Sequence, residues 1–230
     1  MDTIYELPIH ELPIHKLPIH KLPYDIIEYI TSYLDNKDYF SCLCSSKIFN
    51  LKDLNKVTVH NYLYRKYKNE DIDDLSRLGD LKGVQFLTST GNFACTDAMD
   101  NAAANGHLEI VKWLHENRKD IKGFACTTYA MDKAATNGHL ETVKWLHEND
   151  YTCTTSAMNF AALNGHLEIV KFLHENGYAC TTDAMNWAAA RGHLEIVKFL
   201  HENRKEGFTR YAIIWAENNY HLETVKFLKR

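Results

Sequence analysis

Apolar positions along the last two-thirds of the chain fall three and four residues apart, and this pattern itself repeats. Within Leu194 to Asn203, Leu194, Val197 and Leu200 follow helical spacing, Ile196 and Phe199 widen the stripe, and Glu195 and Lys198 face away. That is an amphipathic helix with one buried side. Ahead of it, residues 181–190 form a short alanine-rich stretch opened by Thr and Asp, whose side-chain oxygens accept backbone N–H groups at a helix start. Gly192 closes it, because glycine takes the left-handed C-terminal conformation without a Cβ penalty. The two-helix unit recurs. Gly106-His107-Leu108-Glu109-Ile110-Val111-Lys112-Trp113-Leu114-His115-Glu116-Asn117 returns as residues 138–149, 165–176 and 192–203, with weaker copies from Tyr220 and from Gly79. Starts at 79, 106, 138, 165, 192 and 220 are spaced 27, 32, 27, 27 and 28 residues apart, the long interval carrying an insertion around Arg118 to Lys122. One helix pair cannot bury its apolar faces alone, so five or six stacked pairs are expected over 74–230 as an all-α solenoid.

The unit resembles the ankyrin repeat. Gly192-His193-Leu194-Glu195-Ile196-Val197-Lys198-Phe199-Leu200 follows the second helix of that family, and Ala188-Ala189 ahead of Gly192-His193 sit where the family has them. Two departures stand out. The family's Thr-Pro-Leu-His is replaced by Asp183-Ala184-Met185-Asn186 or Tyr129-Ala130-Met131-Asp132, which removes a helix-starting proline and a Thr–His bond network. The 27-residue period is also shorter than the usual ~33, and the loss falls where ankyrins place a β-hairpin finger. Short repeats with reduced fingers follow. A leucine-rich repeat is the structural rival, since its period spans ~20–29 residues. The Asn comes one place late for it, at 203, and an alanine-rich half suits a helix and not a strand. The last unit shows no distinct polar capping pattern.

The N-terminal third is organised differently. All 4 prolines lie within Leu7-Pro8-Ile9-His10, Leu12-Pro13-Ile14-His15, Leu17-Pro18-Ile19-His20 and Leu22-Pro23-Tyr24-Asp25. Proline every five residues forbids a regular helix, so 1–21 reads as a disordered low-complexity lead-in, with a His-rich metal tract or a peptide ligand as alternatives. From Leu22 the pattern changes. Pro23 near a helix start, then Ile26, Ile27, Ile30 and Leu34, marks a short amphipathic helix. Asp35-Asn36-Lys37-Asp38 reads as a turn, and a second helix carries Phe40, Leu43 and Cys44. Leu22-Pro23, Ile26, Leu34-Asp35, Asp38, Ser46-Lys47 and Phe49 resemble the F-box, without that family's tryptophan after the Ser-Lys stretch. The resemblance implies a small helical F-box-like domain over 22–50 and a helical connector over 51–73. It also implies docking of a Skp-type adaptor through Leu22, Pro23, Ile26, Ile27 and Ile30. A plain helical cap on the repeats is the other reading of the same residues. F-box and repeat wording together resemble the expanded ankyrin-repeat families of large DNA viruses of amoebae.

Composition narrows the function. Net charge is −4, divided evenly between 1–73 and 74–230, so neither part offers the positive field that nucleic-acid binding needs. No apolar run approaches the ~18 residues of a membrane span, and Met1 to Glu6 lacks the parts of a signal peptide. The expected setting is intracellular and cytoplasmic, host cytoplasm if viral. Cys95, Cys126, Cys153 and Cys180 recur at one repeat position, which makes a column of small buried groups and not pre-arranged pairs. Of 13 histidines, His107, His139, His166, His193 and His221 follow the turn, and His115, His147, His174 and His201 lie eight residues later. A repeating ridge supplies copies where catalysis needs convergence, and no phosphate loop, HExxH or GxSxG occurs. Neither cofactor nor metal is expected, and the chain is expected to be a monomer that binds proteins.

Binding residues should sit where the repeats differ. Five residues before the turn glycine stand Asn101, Lys133, Phe160, Trp187 and Trp215, and four residues earlier Asp97, Tyr129, Ser156, Asp183 and Tyr211. Asn101, Tyr129, Lys133, Phe160, Trp187, Tyr211 and Trp215 are the partner-binding candidates. Exposed aromatics often anchor partners, and packing between repeats is the alternative for Phe160, Trp187 and Trp215. A protein-interaction scaffold recruiting substrates to a cullin–RING ubiquitin ligase is the resulting expectation, with a binding or decoy protein lacking any ubiquitin link as the alternative.

Overall fold

The structure is a computed structural model and describes residues 63–64, 66–90, 97–117 and 127–230. The lead-in 1–21, the F-box-like segment with Leu22, Pro23, Ile26, Ile27 and Ile30, most of the connector and the insertion at 118–122 lie outside the described residues. So do Cys95 and Cys126.

Residues 71–230 form one compact unit. Its described residues hold twelve helices and no strand. They run as six pairs: α1 (Ile72–Leu78) with α2 (Leu81–Ser89), α3 (Asp97–Ala104) with α4 (Leu108–Asn117), α5 (Thr128–Thr136) with α6 (Leu140–Glu148), α7 (Thr155–Leu163) with α8 (Leu167–Glu175), α9 (Thr182–Ala190) with α10 (Leu194–Asn203), and α11 (Arg210–Asn218) with α12 (Leu222–Leu228). The all-α solenoid read from the periodicity is the fold found. Between α8 and α9 the chain crosses in Asn176 to Thr181 without forming a strand, so the fingers are reduced as expected.

Local chemistry starts and stops these helices. Thr127, Thr154, Thr181 and Thr209 each hold an extended backbone at the N-cap, with the hydroxyl accepting from the N–H two residues on. That satisfies a donor which the helix leaves without a partner. Gly165 ends the α7 turn at φ +83°, and a Cβ there would stand 2.8 Å from Cε1 of His193 in the next repeat. The glycine is thus required both by its own backbone and by a neighbour's ring. Tyr220 occupies the corresponding turn position of the last pair at φ 61°.

The core lies between the helices of successive pairs. Ala102, Ala103, Ala134, Ala135, Ala161, Ala162, Ala188 and Ala189 are all 0% exposed. Small side chains let α1, α3, α5, α7, α9 and α11 pack intimately in series, while the second helices of successive pairs touch one another only sparingly. The four middle second helices each bury three residues, such as Ile169, Val170 and Leu173 of α8. Outward lie the ion pairs Lys112–Glu109, Lys144–Glu141, Lys171–Glu168 and Lys198–Glu195.

The last pair departs from this plan. Glu217 stands where Ala189 is buried in the preceding pair, and it pairs with Lys229. Tyr220 is 84% exposed and Leu222 70%. This pair therefore carries a charged residue at a position buried in the preceding pair, beside apolar groups left in water.

Candidate partner-binding surface

The first helices bury their alanines and methionines, which leaves one solvent face per helix. Asp97 and Asn101 lie on that face of α3, Tyr129 and Lys133 on α5, Ser156 and Phe160 on α7, Asp183 and Trp187 on α9, and Tyr211 and Trp215 on α11. Each pair is four residues apart, hence one above the other on its helix. Because the first helices pack side by side, these positions line up into two rows across the repeats.

The rows change character along the stack. Tyr129 is 50% and Tyr211 46% exposed, and Asn101, Lys133, Phe160, Trp187 and Trp215 are partly buried. Phe160 and Trp187 meet across the α7–α9 boundary with ring centroids 5.2 Å apart and planes tilted 31°. Tyr211 and Trp215 stack within α11 at 5.3 Å. Phe160 and Trp187 thus pack between repeats while each keeps part of its surface in water. Two basic groups of the chain already sit on this aromatic material: Lys133 Nζ lies 5.1 Å from the Tyr129 ring centroid, and the Arg210 guanidinium 5.5 Å from that of Tyr211.

A second array, which the sequence reading missed, fixes the rows in register. In α3, α5, α7 and α9, the residue six places before the turn glycine reaches forward to the capping threonine of the next repeat. Asp100 accepts from Thr127 N–H at 3.1 Å and from its hydroxyl at 2.6 Å. Asp132 accepts from Thr154 N–H at 2.8 Å and from its hydroxyl at 2.7 Å. Asn159 accepts from Thr181 N–H at 3.0 Å and donates to its Oγ1 at 2.9 Å, and Asn186 accepts from Thr209 N–H at 2.9 Å. The departure from Thr-Pro-Leu-His was expected to cost a bond network; this ladder of Asp or Asn to Thr stands in its place. The signal was present in the recurrence of Asp100, Asp132, Asn159 and Asn186 one repeat apart. It ends at Ile214, which has no polar group to offer.

The histidines are tied to neighbouring repeats. Nε2 of His107, His166 and His193 donates to the carbonyls of Arg77, Thr136 and Leu163, each at 3.1 Å. Burial lowers the pKa of His139 and of His193, against the opposing effect of their backbone hydrogen bonds to Ala104 and Leu163. In the second helices, His115, His147, His174 and His201 stand edge-on to Trp145, Phe172, Phe199 and Phe227 of the following repeat. Nδ1 of His115 and of His147 also lies 2.9 Å from the hydroxyls of Tyr151 and Tyr178. Nδ1 of His174 is buried without such a partner; Glu206, at the repeat position of Tyr178, pairs instead with Arg204 at 2.6 Å, and the hydrogen bond from Arg204 holds the Glu206 carboxyl below the usual range.

Burial, followed by the nearby Asp132 carboxylate, pushes the Cys153 thiol up to about 12, and burial likewise raises Cys180. Both are thiols, not thiolates, near neutrality, which leaves them poor nucleophiles. Among the described residues no group of three or more His, Cys, Asp or Glu is placed to hold a metal, and no helix is long and apolar enough to cross a membrane.

Comparison with known proteins agrees with this geometry. The model for ankyrin repeats (3 copies) matches residues 76–157 and 99–184, and the model for the F-box domain matches residues 19–51. A search of curated proteins found no match. Among solved structures, the human ASB11 ankyrin repeat domain superposes with a TM-score of 0.55 at 17% identity, over 69% of this chain and 81% of that one. The chain therefore carries ankyrin repeats and an F-box domain, both protein-interaction modules.

Proposed function

We propose that this protein is a non-enzymatic, substrate-recruiting adaptor of a cullin–RING ubiquitin ligase. Its F-box domain docks a Skp-type adaptor, and the solvent face of the first helices holds a target protein. The transfer of ubiquitin belongs to other subunits. The observation that carries this reading is the coexistence of an F-box match at 19–51 with repeats at 76–184, supported by the row of partly exposed aromatics on one face of the stack. The protein acts as a monomer in the cytoplasm, which is host cytoplasm if the likeness to families of amoebal viruses reflects its source.

Leu22, Pro23, Ile26, Ile27 and Ile30 are assigned to adaptor docking. Burying one leucine is worth roughly 1.5–3 kcal/mol, so Leu22→Ala with Pro23→Ala is expected to weaken adaptor binding by about 10-fold or more while leaving the repeats folded. The measurement is a titration of purified Skp-type adaptor against wild type and double mutant, with a melting curve for each. No wild-type binding at tens of micromolar sinks the ligase reading and leaves a binding scaffold without a ubiquitin link. A mutant that loses stability, with neither version binding adaptor, identifies these residues as a cap on the repeats.

A further inference from the structure

Two tyrosines of the rows carry a basic group of the chain, and the aromatics of the two helices between them carry none among the described residues. On α5, Tyr129 is covered by Lys133 Nζ, 5.1 Å from its centroid. On α11, Tyr211 is covered by Arg210 at 5.5 Å. On α9, between them, Trp187 offers the best π-face for a cation of any side chain. Phe160 sits against one side of it at 5.2 Å. Asp183 lies one turn back on the same face, where Cβ atoms four apart stand about 5–6 Å from each other. Asp183 uses its backbone N–H to close the cap with Thr181 Oγ1. Among the described residues its carboxylate is engaged by no side chain, and no described Lys or Arg lies over Trp187. Arg191, four residues after Trp187, is the C-cap of the helix.

We propose that Asp183, Trp187 and Phe160 form a recognition site for one basic side chain, Arg or Lys, of the target polypeptide. The site rests on the reading of the first-helix face as the target surface. A guanidinium or ammonium laid on the Trp187 ring reaches the Asp183 carboxylate at the same time, so ring quadrupole and ion pair act on a single charge. Phe160 removes water from one side, which strengthens both. The partly exposed Trp215 and Tyr211 of the next repeat offer apolar contact to the residues that flank the basic one. The predicted ligand is thus a segment with one basic residue beside apolar or aromatic neighbours.

The test is selection of binders from a random dodecapeptide library on the full-length chain, wild type and Asp183→Lys in parallel, followed by titration of synthesised winners. The expected result is enrichment of Arg or Lys at one peptide position with wild type, and of Asp or Glu at that position with D183K. For a wild-type winner, Arg→Gln in the peptide and Asp183→Asn in the protein should each weaken binding about 10-fold, and both together no more than either alone. Melting curves confirm that D183N and D183K remain folded. Wild-type winners without a basic position, or D183K winners with the same preference, overturn the cation site. If those winners are still lost on Trp187→Ala, the target-face reading survives. Winners indifferent to Trp187→Ala and to Trp215→Ala, or the absence of any winner, overturn the face and the cation site together.

Discussion

Replacing Asn159 by alanine removes one rung of the ladder that joins successive repeats. Asn159 is 5% exposed, and it satisfies the Thr181 N–H at 3.0 Å while donating to the Thr181 hydroxyl at 2.9 Å. Each neutral hydrogen bond contributes about 0.5–1.5 kcal/mol net, and a buried donor left alone costs about 1–3 kcal/mol. Partial rehydration through the space vacated by the amide offsets some of that, so the expected cost is about 2–3 kcal/mol. Two controls separate this mechanism from general damage. Asn159→Asp restores the residue type found at Asp100 and Asp132, whose carboxylates accept from both Thr N–H and hydroxyl; it should stay within about 1 kcal/mol of wild type at pH 7 by the same accounting. Lys171→Ala breaks a shorter contact, 2.8 Å to Glu168, but in water, where such a pair is worth about 0.3–0.5 kcal/mol. The assay is urea unfolding of the full chain followed by helical circular dichroism. Because repeat arrays are held by nearest-neighbour interfaces, the alanine variant should also broaden the transition as the two halves uncouple. A cost for Asn159→Ala no larger than that of Lys171→Ala, with an unchanged slope, would refute the claim that the ladder joins the repeats.

Two further outcomes follow from packing and from protonation. Ala188 is fully buried in the tight series of first helices, so Ala188→Leu should overpack the stack and lower stability by about 1–3 kcal/mol; an unchanged melting temperature would contradict the register. Burial lowers the pKa of His139 and His193 in the folded chain, while the unfolded imidazoles keep a value near ~6.5. The unfolded state then binds more protons over that interval, so the stabilisation is present above ~6.5 and is lost as pH falls from there toward the lower folded values. Melting temperatures at falling pH should decline less steeply for His139→Gln with His193→Gln than for wild type, and parallel curves would count against the assignment. Glu206, also lowered in the fold, loses its contribution only as pH drops below its ordinary value of 4.5, so its effect is separable.

Much of this architecture could be read from one dimension. A helix pair is a local object: the spacing of Leu194, Val197 and Leu200, the capping Thr181 and the turn glycine at 192 each act within a few residues. Recurrence every 27 or so residues then dictates stacking, since an exposed apolar stripe must find its copy. The variable positions, Asn101 to Trp215 and Tyr129 to Tyr211, could be read off the repeats as well, but not their packing: Phe160 and Trp187 vary and still meet across two repeats.

What needed three dimensions were the relations between copies. Asn159 and Thr181 are 22 residues apart, and nothing in either residue's own helix shows that one satisfies the other. The turn glycine has a local reason, its positive φ, and also a distant one, the His193 ring against Gly165, which only the stacked arrangement supplies. Asp183 is likewise a mere variable position in the sequence. Its place beside Trp187, with Phe160 brought in from the preceding repeat and the cations of the chain already seated on Tyr129 and Tyr211, comes from helices packed in register. Periodicity determines each element because helix formation is local; the pairing of side chains across elements is decided by packing distance and register, which the linear order does not contain.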